Sequence, residues 1–379
     1  MALILDDEGT LVRDTAFAFF REKAPVTALR KLRDARDPDG FSRALWKEMA
    51  DLGWAGFLVP EEHGGTGFGM VGLGQVLEAA GSTLAASPLV STALIGASAL
   101  VLGGTAAQQQ AWLPKLAAGD VLTALAVDDD AHHAPARVRL QATRDGAGWK
   151  LGGEKRLVLD GHVADLLVVA ARTSGKPGER AGITLFLVPA GAAGVQIERT
   201  WMIDSRNAAN IRFEGVSVGT DAVLGRVDQG ADLLDAILDR ARVGLAAEML
   251  GSAQEVFNRT VQYLKDRKQF GVPIGSFQAL QHRASEMFCA LELTRSAVMQ
   301  ALGAIDEGSE ELALLASLAK AKAGEAFFLT SNEGVQMHGG IGMTDEFEIG
   351  FFLKRARVAQ ASFGDAAFHR DRYAALSGY

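Results

Sequence analysis

Cysteine is almost absent from this chain: Cys289 is the only one in 379 residues, which excludes an intramolecular disulfide framework. It lies in the apolar run MFCALEL and reads as a small buried hydrophobe, not a nucleophile. Positive charge is also in short supply, with 38 Lys and Arg against 46 Asp and Glu, a net −8. Tracking a polyanion needs a clustered basic surface, so nucleic acid is not an expected partner. A small anion needs only a few local cations and stays open. Long apolar runs are missing as well. The longest, from Leu89 to Leu102, carries Ser91, Thr92 and Ser98 and falls short of the roughly 20 residues a membrane span requires. The opening stretch MALILDDEGTLVRD is acidic where a leader would be basic, so a cytoplasmic protein is expected. The 7 histidines show no metal-ligand spacing with one another or with the cysteine, and no metal is expected. His132-His133 reads as a polar loop. No internal repeat or low-complexity tract occurs.

What is present suffices for a large core, since 48% of the residues are hydrophobic. Three textures follow one another. Over residues 1–120, the segments Thr15 to Arg21, Phe41 to Leu52, Gly72 to Ala80 and Thr105 to Leu116 place apolar residues at helical spacing. LVPEEHGGTGFG, at 58–69, interrupts them with loop chemistry. Over 121–227 the chain turns to short β-branched or alternating runs: VLTALAVD, VRLQATRD, GWKLGGEKRLVLDG, ADLLVVAART, GITLFLVPA, GVQIERTWM and NIRFEGVSVG. Seven such strands predict a small β-barrel or sandwich. Over 228–379 long helical patterns return: Asp232 to Lys265, Phe277 to Glu307, Glu310 to Gly334 and Glu348 to Gln360. Short links between long helices predict a four-helix bundle. The fold class is therefore α+β, with an N-terminal helical domain, a central β-domain and a C-terminal bundle.

That architecture alone names no reaction. Four segments do more: DLGWAGFLVPEEHGGTGFG (51–69), GWKLGGEKRLVLDGHVADLLVVAAR (148–172), DRKQFGVPIGSFQALQHRASEM (266–287) and QMHGGIGMTDEFEIGFFLKRAR (336–357). They resemble, in order, the N-terminal loop, the β-domain hairpin and the two signature segments of the acyl-CoA dehydrogenase family. The resemblance implies FAD as cofactor and an acyl-CoA substrate whose Cα–Cβ bond is oxidised. It also implies an electron-transfer acceptor protein and a homo- or hetero-oligomer built as a dimer of dimers.

On its residues alone, Arg267 is a helix-end cation, and Phe270-Gly271 reads as the helix stop. The resemblance implies that Arg267, Gln269 and Phe270 reach the FAD of a neighbouring subunit, with the guanidinium fork on the pyrophosphate. Gln336, Gly339 and Gly340 match positions on the adenosine half of that flavin, where glycine lets backbone come close. His338 reads as a packing or hydrogen-bonding residue. Arg242 matches a position near the bound acyl-CoA; taken alone it would be a surface ion-pair residue.

The family's chemistry needs a carboxylate to take the α-proton and fixed donors on the thioester carbonyl. Its usual base positions are occupied here by Phe363, within Ser362-Phe363-Gly364-Asp365, and by Ala241. Two acids nearby are candidate substitutes, Asp365 and Glu248, with an N-cap or ion-pair role as the alternative for each. Glu248 lies seven residues past Ala241, about 10 Å along a helix. Leu157-Val158-Leu159 stands where the family has Trp-Ile-Thr over the flavin ring, and AVDDDAHHAPAR (126–137) replaces another of its loops. The half-site given to a neighbour is thus intact while the half kept for this chain's own flavin is altered. This pattern, with the ending FGDAAFHRDR, resembles the "small subunit" of bacterial heteromeric members acting on bulky or dicarboxylic CoA esters from steroid, pimelate or aromatic breakdown. The readings that follow are a dehydrogenase polypeptide, a non-catalytic subunit completing a partner's FAD site, or a flavin oxidase of the same fold.

Overall fold

A computed structural model describes residues 4–379. The chain divides into two compact units, one comprising Arg36–Gly69 and Ala86–Ala241, the other comprising the chain up to Ala35, Met70–Ala85 and Arg242–Tyr379.

The first unit is built on a sheet. All seven expected strands form: β1 (Thr123–Ala126), β2 (Gln141–Asp145), β3 (Gly148–Leu159), β4 (Leu166–Arg172), β5 (Ile183–Pro189), β6 (Val195–Trp201) and β7 (Asn207–Val218). An eighth, β8 (Val223–Leu224), is too short to carry a readable alternation. They run in the order β6-β7-β3-β2-β4-β5-β8, with β1 parallel to β4. The sheet is open: β6 and β8 end the path unpaired to each other, so the barrel alternative does not form. Its core gathers Trp149, Leu151, Val169, Phe186, Ile211 and Phe213. Trp149 meets Phe186 edge to face at 5.7 Å, the geometry that places a ring edge on a ring face. Helices α3 (Arg43–Asp51), α5 (Ala97–Gly103) and α6 (Ala106–Ala117) belong to the same unit. At α6 the Thr105 hydroxyl accepts from the Gln108 N–H, and the Gln108 side chain accepts from the Thr105 N–H, closing a capping box. The apolar run that begins at Leu89 is a π-helical turn over Leu89–Gly96 followed by α5, and it is buried along the turn. Among the described residues no helix is long and apolar enough to cross a membrane.

The second unit is helical. It holds α1 (Asp7–Lys23), α2 (Val26–Asp34), α4 (Met70–Ser82), most of α7 (Gly230–Asp266), α8 (Gln278–Asp306), α9 (Leu312–His338), α10 (Ile349–Ala361) and α11 (Ala366–Leu376). Helix α11 went unread: only Ala366 and His369 on it are buried, so its sequence shows no sustained apolar face. Helices α4 and α7 cross in close contact through reciprocal glycines. A Cβ on Gly81 would meet the Glu248 carbonyl oxygen at 2.0 Å, and one on Gly251 would meet that of Glu78 at 1.8 Å. Only glycine permits such an approach, and the Ser252 hydroxyl donates across it to Gly81 O at 2.8 Å.

Two local expectations need correction. Phe270-Gly271 does not cap the helix. α7 ends at Asp266, and the chain enters a small hairpin, β9 (Lys268–Gln269) against β10 (Val272–Pro273). Phe270 (φ +54°) and Gly271 (φ +82°) are its two turn residues, both left-handed as a tight hairpin turn demands. Cys289 is exposed, not buried. On α8 it is Met287 and Leu291, four apart, that face the core, so a residue midway between them points outward.

Candidate functional site

Three groups of residues singled out by sequence can now be placed. The first lies where α7 and α9 end. Leu264, Ile274, Met287 and Met337 pack into one cluster, with Tyr263 and Leu329 against it. His338 is buried, stacks on Tyr263 at 4.4 Å between centroids and shares a hydrogen bond of 2.6 Å with Gly334 O through Nδ1. This cluster joins the hairpin to the end of α9, so Arg267, Gln269 and Phe270 stand on the same end of the bundle as Gln336, Gly339 and Gly340. All six are exposed, Phe270 at 90%. The Arg267 guanidinium makes no hydrogen bond or ion pair among the described residues; only its backbone is engaged, N–H to Tyr263 O and C=O from Ile274 N–H. Gly339 has φ +64° and caps α9, and a Cβ on Gly339 or Gly340 would meet nothing within 4 Å. The arrangement is an outward face of an unpaired cation, an aromatic ring and bare backbone. It fits a phosphate-bearing ligand with a planar ring.

The second group surrounds Phe363. Between α10 and α11 the backbone turns sharply, with Phe363 at φ +57° and Gly364 at φ +103°. A Cβ on Gly364 would lie 2.4 Å from the Phe368 ring, so glycine is required. Arg242 is fully buried, not at the surface, and its Nε donates to Phe363 O at 3.2 Å. His369, also fully buried, lies with Nε2 3.1 Å from the same oxygen. A carbonyl can only accept, so Nε2 carries a proton. Burial, together with nearby Lys320 and Arg242, holds the His369 pKa down to about 2. Lys320 is 1% exposed and donates to Gly364 O at 2.9 Å and to Gln360 O at 3.1 Å. Burial and then Arg242 push its pKa down to about 7, against the pull of Asp365.

The two candidate bases sit differently. Asp365 is exposed and caps α11, accepting from Phe368 N–H at 2.8 Å. Glu248 is buried and takes two donors from Arg355, Nε at 3.0 Å and Nη2 at 2.8 Å. Each therefore has the structural role that the sequence offered as the alternative.

The third group belongs to the sheet unit. The β3–β7 register shifts between Lys155 and Val158, and Leu157 bulges out at φ +51°, its N–H donating to Asn210 Oδ1 at 3.2 Å. Leu157 is 40% exposed and Leu159 half-buried. The 126–137 loop is tied down beside this bulge. Buried Lys155 pairs with Asp129 at 3.0 Å and donates to Val127 O at 2.6 Å, and burial lowers its pKa. His133 Nδ1 bonds Asp128 at 2.8 Å. Buried Arg172 donates to five backbone carbonyls, among them Val138 at 2.9 Å and Glu179 at 3.0 Å. Ala241 is fully buried in the same unit. No group of acidic, histidine or cysteine side chains suited to a metal occurs among the described residues.

Lys320, Arg355 and His369 escaped the sequence reading. A signal existed for the first two. Ala316, Ala319, Ala323 and Phe327 form the buried stripe of α9, and Lys320 falls on it; Arg355 falls likewise among Phe351, Phe352, Ala356 and Ala359 of α10. A charge within an apolar stripe marks a buried polar contact.

Comparison with known proteins covers nearly the whole chain. Residues 6–120, 129–216 and 228–376 match the N-terminal, middle and C-terminal domain models of acyl-CoA dehydrogenase. Acyl-CoA dehydrogenase FadE12 of Mycobacterium tuberculosis is 31% identical, over 83% of this chain and 83% of that protein. Among solved structures, the Tcur3481-Tcur3483 steroid ACAD superposes with a TM-score of 0.88 at 31% identity, covering 98% of each chain. The ChsE4-ChsE5 complex of Mycobacterium tuberculosis gives 0.90 at 26% identity, covering 100% of each.

Proposed function

The chain belongs to the acyl-CoA dehydrogenase family, and from that premise we propose that it binds FAD and a CoA thioester as one polypeptide of a heteromeric dehydrogenase. The observation that carries this reading is the outward face formed by Arg267, Gln269, Phe270, Gln336, Gly339 and Gly340. An exposed arginine without an internal partner, beside a phenylalanine at 90% exposure, leaves a guanidinium fork and a ring available to a ligand from outside the chain. The donor set suits a dinucleotide: a guanidinium fork for the pyrophosphate, bare glycine backbone and a glutamine amide for the adenosine half. When bound, FAD supplies the acceptor for the two electrons and the hydrogen removed from the acyl chain.

The chain's own residues then divide the remaining work. The Phe363-Gly364 turn, held by Arg242, His369 and Lys320, presents backbone to the thioester carbonyl, a contact that does not depend on the side chain at 363. The α-proton has no acceptor at Phe363 or Ala241. Asp365 is committed to capping α11 and Glu248 to Arg355, so a carboxylate from a partner polypeptide completes the reaction. The likeness to the Tcur3481-Tcur3483 and ChsE4-ChsE5 structures supports a two-polypeptide enzyme, and the first of them supports a bulky polycyclic acyl group.

The test is flavin stoichiometry and turnover. The purified chain is reconstituted with FAD alone and after co-expression with its neighbouring gene product. Each form is assayed with straight-chain and steroid-derived CoA esters. The reading expects bound FAD in both forms and brisk turnover only in the second. Protein that stays colourless in both forms overturns it, and brisk turnover by the chain alone overturns the heteromer.

A further inference from the structure

Three buried basic side chains of the helical unit converge on one backbone turn. Lys320, Arg242 and His369 come from three helices, α9, α7 and α11, and all three donate to carbonyls within Gln360–Gly364. Each is 1% exposed or less. Another buried cation, Arg355, is matched by Glu248, but among the described residues no carboxylate bonds Lys320. A lysine whose hydrogen-bond partners among the described residues are two main-chain oxygens is an expensive way to fill space, since Met would fill the same volume without desolvating an amine. Its two bonds straddle the turn, one on the last helical carbonyls of α10, the other on Gly364. They fix the left-handed pair Phe363-Gly364, which such residues leave readily when unsupported.

We propose that Lys320 is a positioning residue that locks the Phe363-Gly364 turn in the conformation that receives the acyl-CoA thioester. The proposal rests on the function assigned above. Both protonation states of the amine serve, because a neutral amine still has two hydrogens for its two carbonyls. The lock therefore persists across neutral pH, whereas an arrangement that needed the charge would fail there. Arg242 and His369 both donate to Phe363 O, whereas Lys320 bonds a carbonyl on either side of it, Gln360 O and Gly364 O.

The full-length FAD-loaded protein, with its partner polypeptide where it has one, is compared with Lys320→Met and with Lys322→Met. Lys322 is exposed on the same helix, and its substitution serves as the control. Binding of a non-reactive thioether analogue of acyl-CoA is followed by titration, FAD content by absorbance, and amide hydrogen exchange over residues 362–366 by mass spectrometry. Lys320→Met is expected to keep its FAD, bind the analogue at least about 10-fold more weakly and exchange the turn amides at least about 10-fold faster, while Lys322→Met matches the wild type. A Lys320→Met protein with wild-type analogue affinity and wild-type exchange overturns the proposal. So does one that loses FAD and analogue together, which marks a general structural role. Should Lys320→Met not fold, Lys320→Gln takes its place; its amide keeps two donors on a shorter stem, and unchanged turn exchange in that variant overturns the proposal. Wild-type protein that binds no analogue sinks the functional assignment instead, and the exchange measurement then decides the lock by itself.

Discussion

Helix α9 carries two sites of opposite character. Near its start, Lys320 is sealed among carbonyls of the Phe363 turn; at its end, Gln336 and Gly339 stand in the open beside an unpaired Arg267. Sixteen residues separate Lys320 from Gln336, about 24 Å along the axis. Both places are polar, yet in one the donors bond within the chain and in the other they are held back. The difference separates two tasks. A fixed geometry needs donors satisfied internally, because a half-paired buried group costs more than it contributes. Recognition of an outside ligand needs donors unsatisfied internally, so that binding adds bonds and does not merely exchange them.

The largest expected effect tests what the sealed end lacks. Phe363→Glu in the FAD-loaded protein should raise dehydrogenation of a simple acyl-CoA by about 10²–10⁴-fold, the usual contribution of a placed general base. A rate unchanged from wild type, with flavin and analogue still bound, would show that the turn does not face the substrate. Next comes the buried pair. Glu248→Gln should cost roughly 3 kcal/mol or more in denaturant unfolding, because Arg355 keeps its charge in a site that also holds Lys320 and Arg242. Loss of turnover without loss of stability in that variant would instead make Glu248 a catalytic base.

At the open end, Arg267→Ala should leave unfolding unchanged while weakening FAD. Charge-assisted bonds are worth about 1.5–3 kcal/mol, or roughly 10- to 150-fold in affinity. Retained affinity would remove Arg267 from the flavin site and erase the contrast between the two ends. The smallest effect belongs to pH. His369 is neutral in the fold, with a pKa near 2, whereas an unfolded histidine titrates near 6.5. Below pH 6.5 the unfolded chain binds a proton that the fold refuses, so stability falls as pH drops. Lys320 adds a slope of the same sign between pH 10.5 and about 7 but none below, being protonated in both states there. Between pH 6.5 and 5 the wild type should therefore lose about 1–2 kcal/mol more than His369→Gln. Parallel stability curves would mean that His369 can be charged in place.

Most of the secondary structure was readable from the pattern of burial. Alternating runs gave strands such as β3 and β7, and short β-branched apolar runs gave β1, β4 and β5, which are buried almost throughout. Period-3.6 runs gave the four long helices of the C-terminal segment. The failures share a cause. Phe270-Gly271 looked like a helix stop because glycine after a helix serves both a cap and a hairpin turn, and only the pairing of Val272 with Gln269 selects the hairpin. Cys289 looked buried because its neighbours in sequence are apolar, although of these only Met287 and Leu291 face the core and Phe288 is itself exposed. The barrel alternative failed because local alternation states which residues face inward but not whether the last strand meets the first.

By itself the sequence determined the family, the order of helices and sheet, and that residues 363 and 241 are phenylalanine and alanine, not carboxylates, since all of these are matters of which residue stands where. The tertiary structure alone decided that Arg242 is buried, that Glu248 answers Arg355, and that Lys320 and His369 meet beneath one turn. These contacts join residues 44 to 121 positions apart or, for His369, close a turn whose shape three helices set. Hydrogen bonds act over about 3 Å in space and leave no period in the chain, so only packing reveals which donors are spent and which remain to bind.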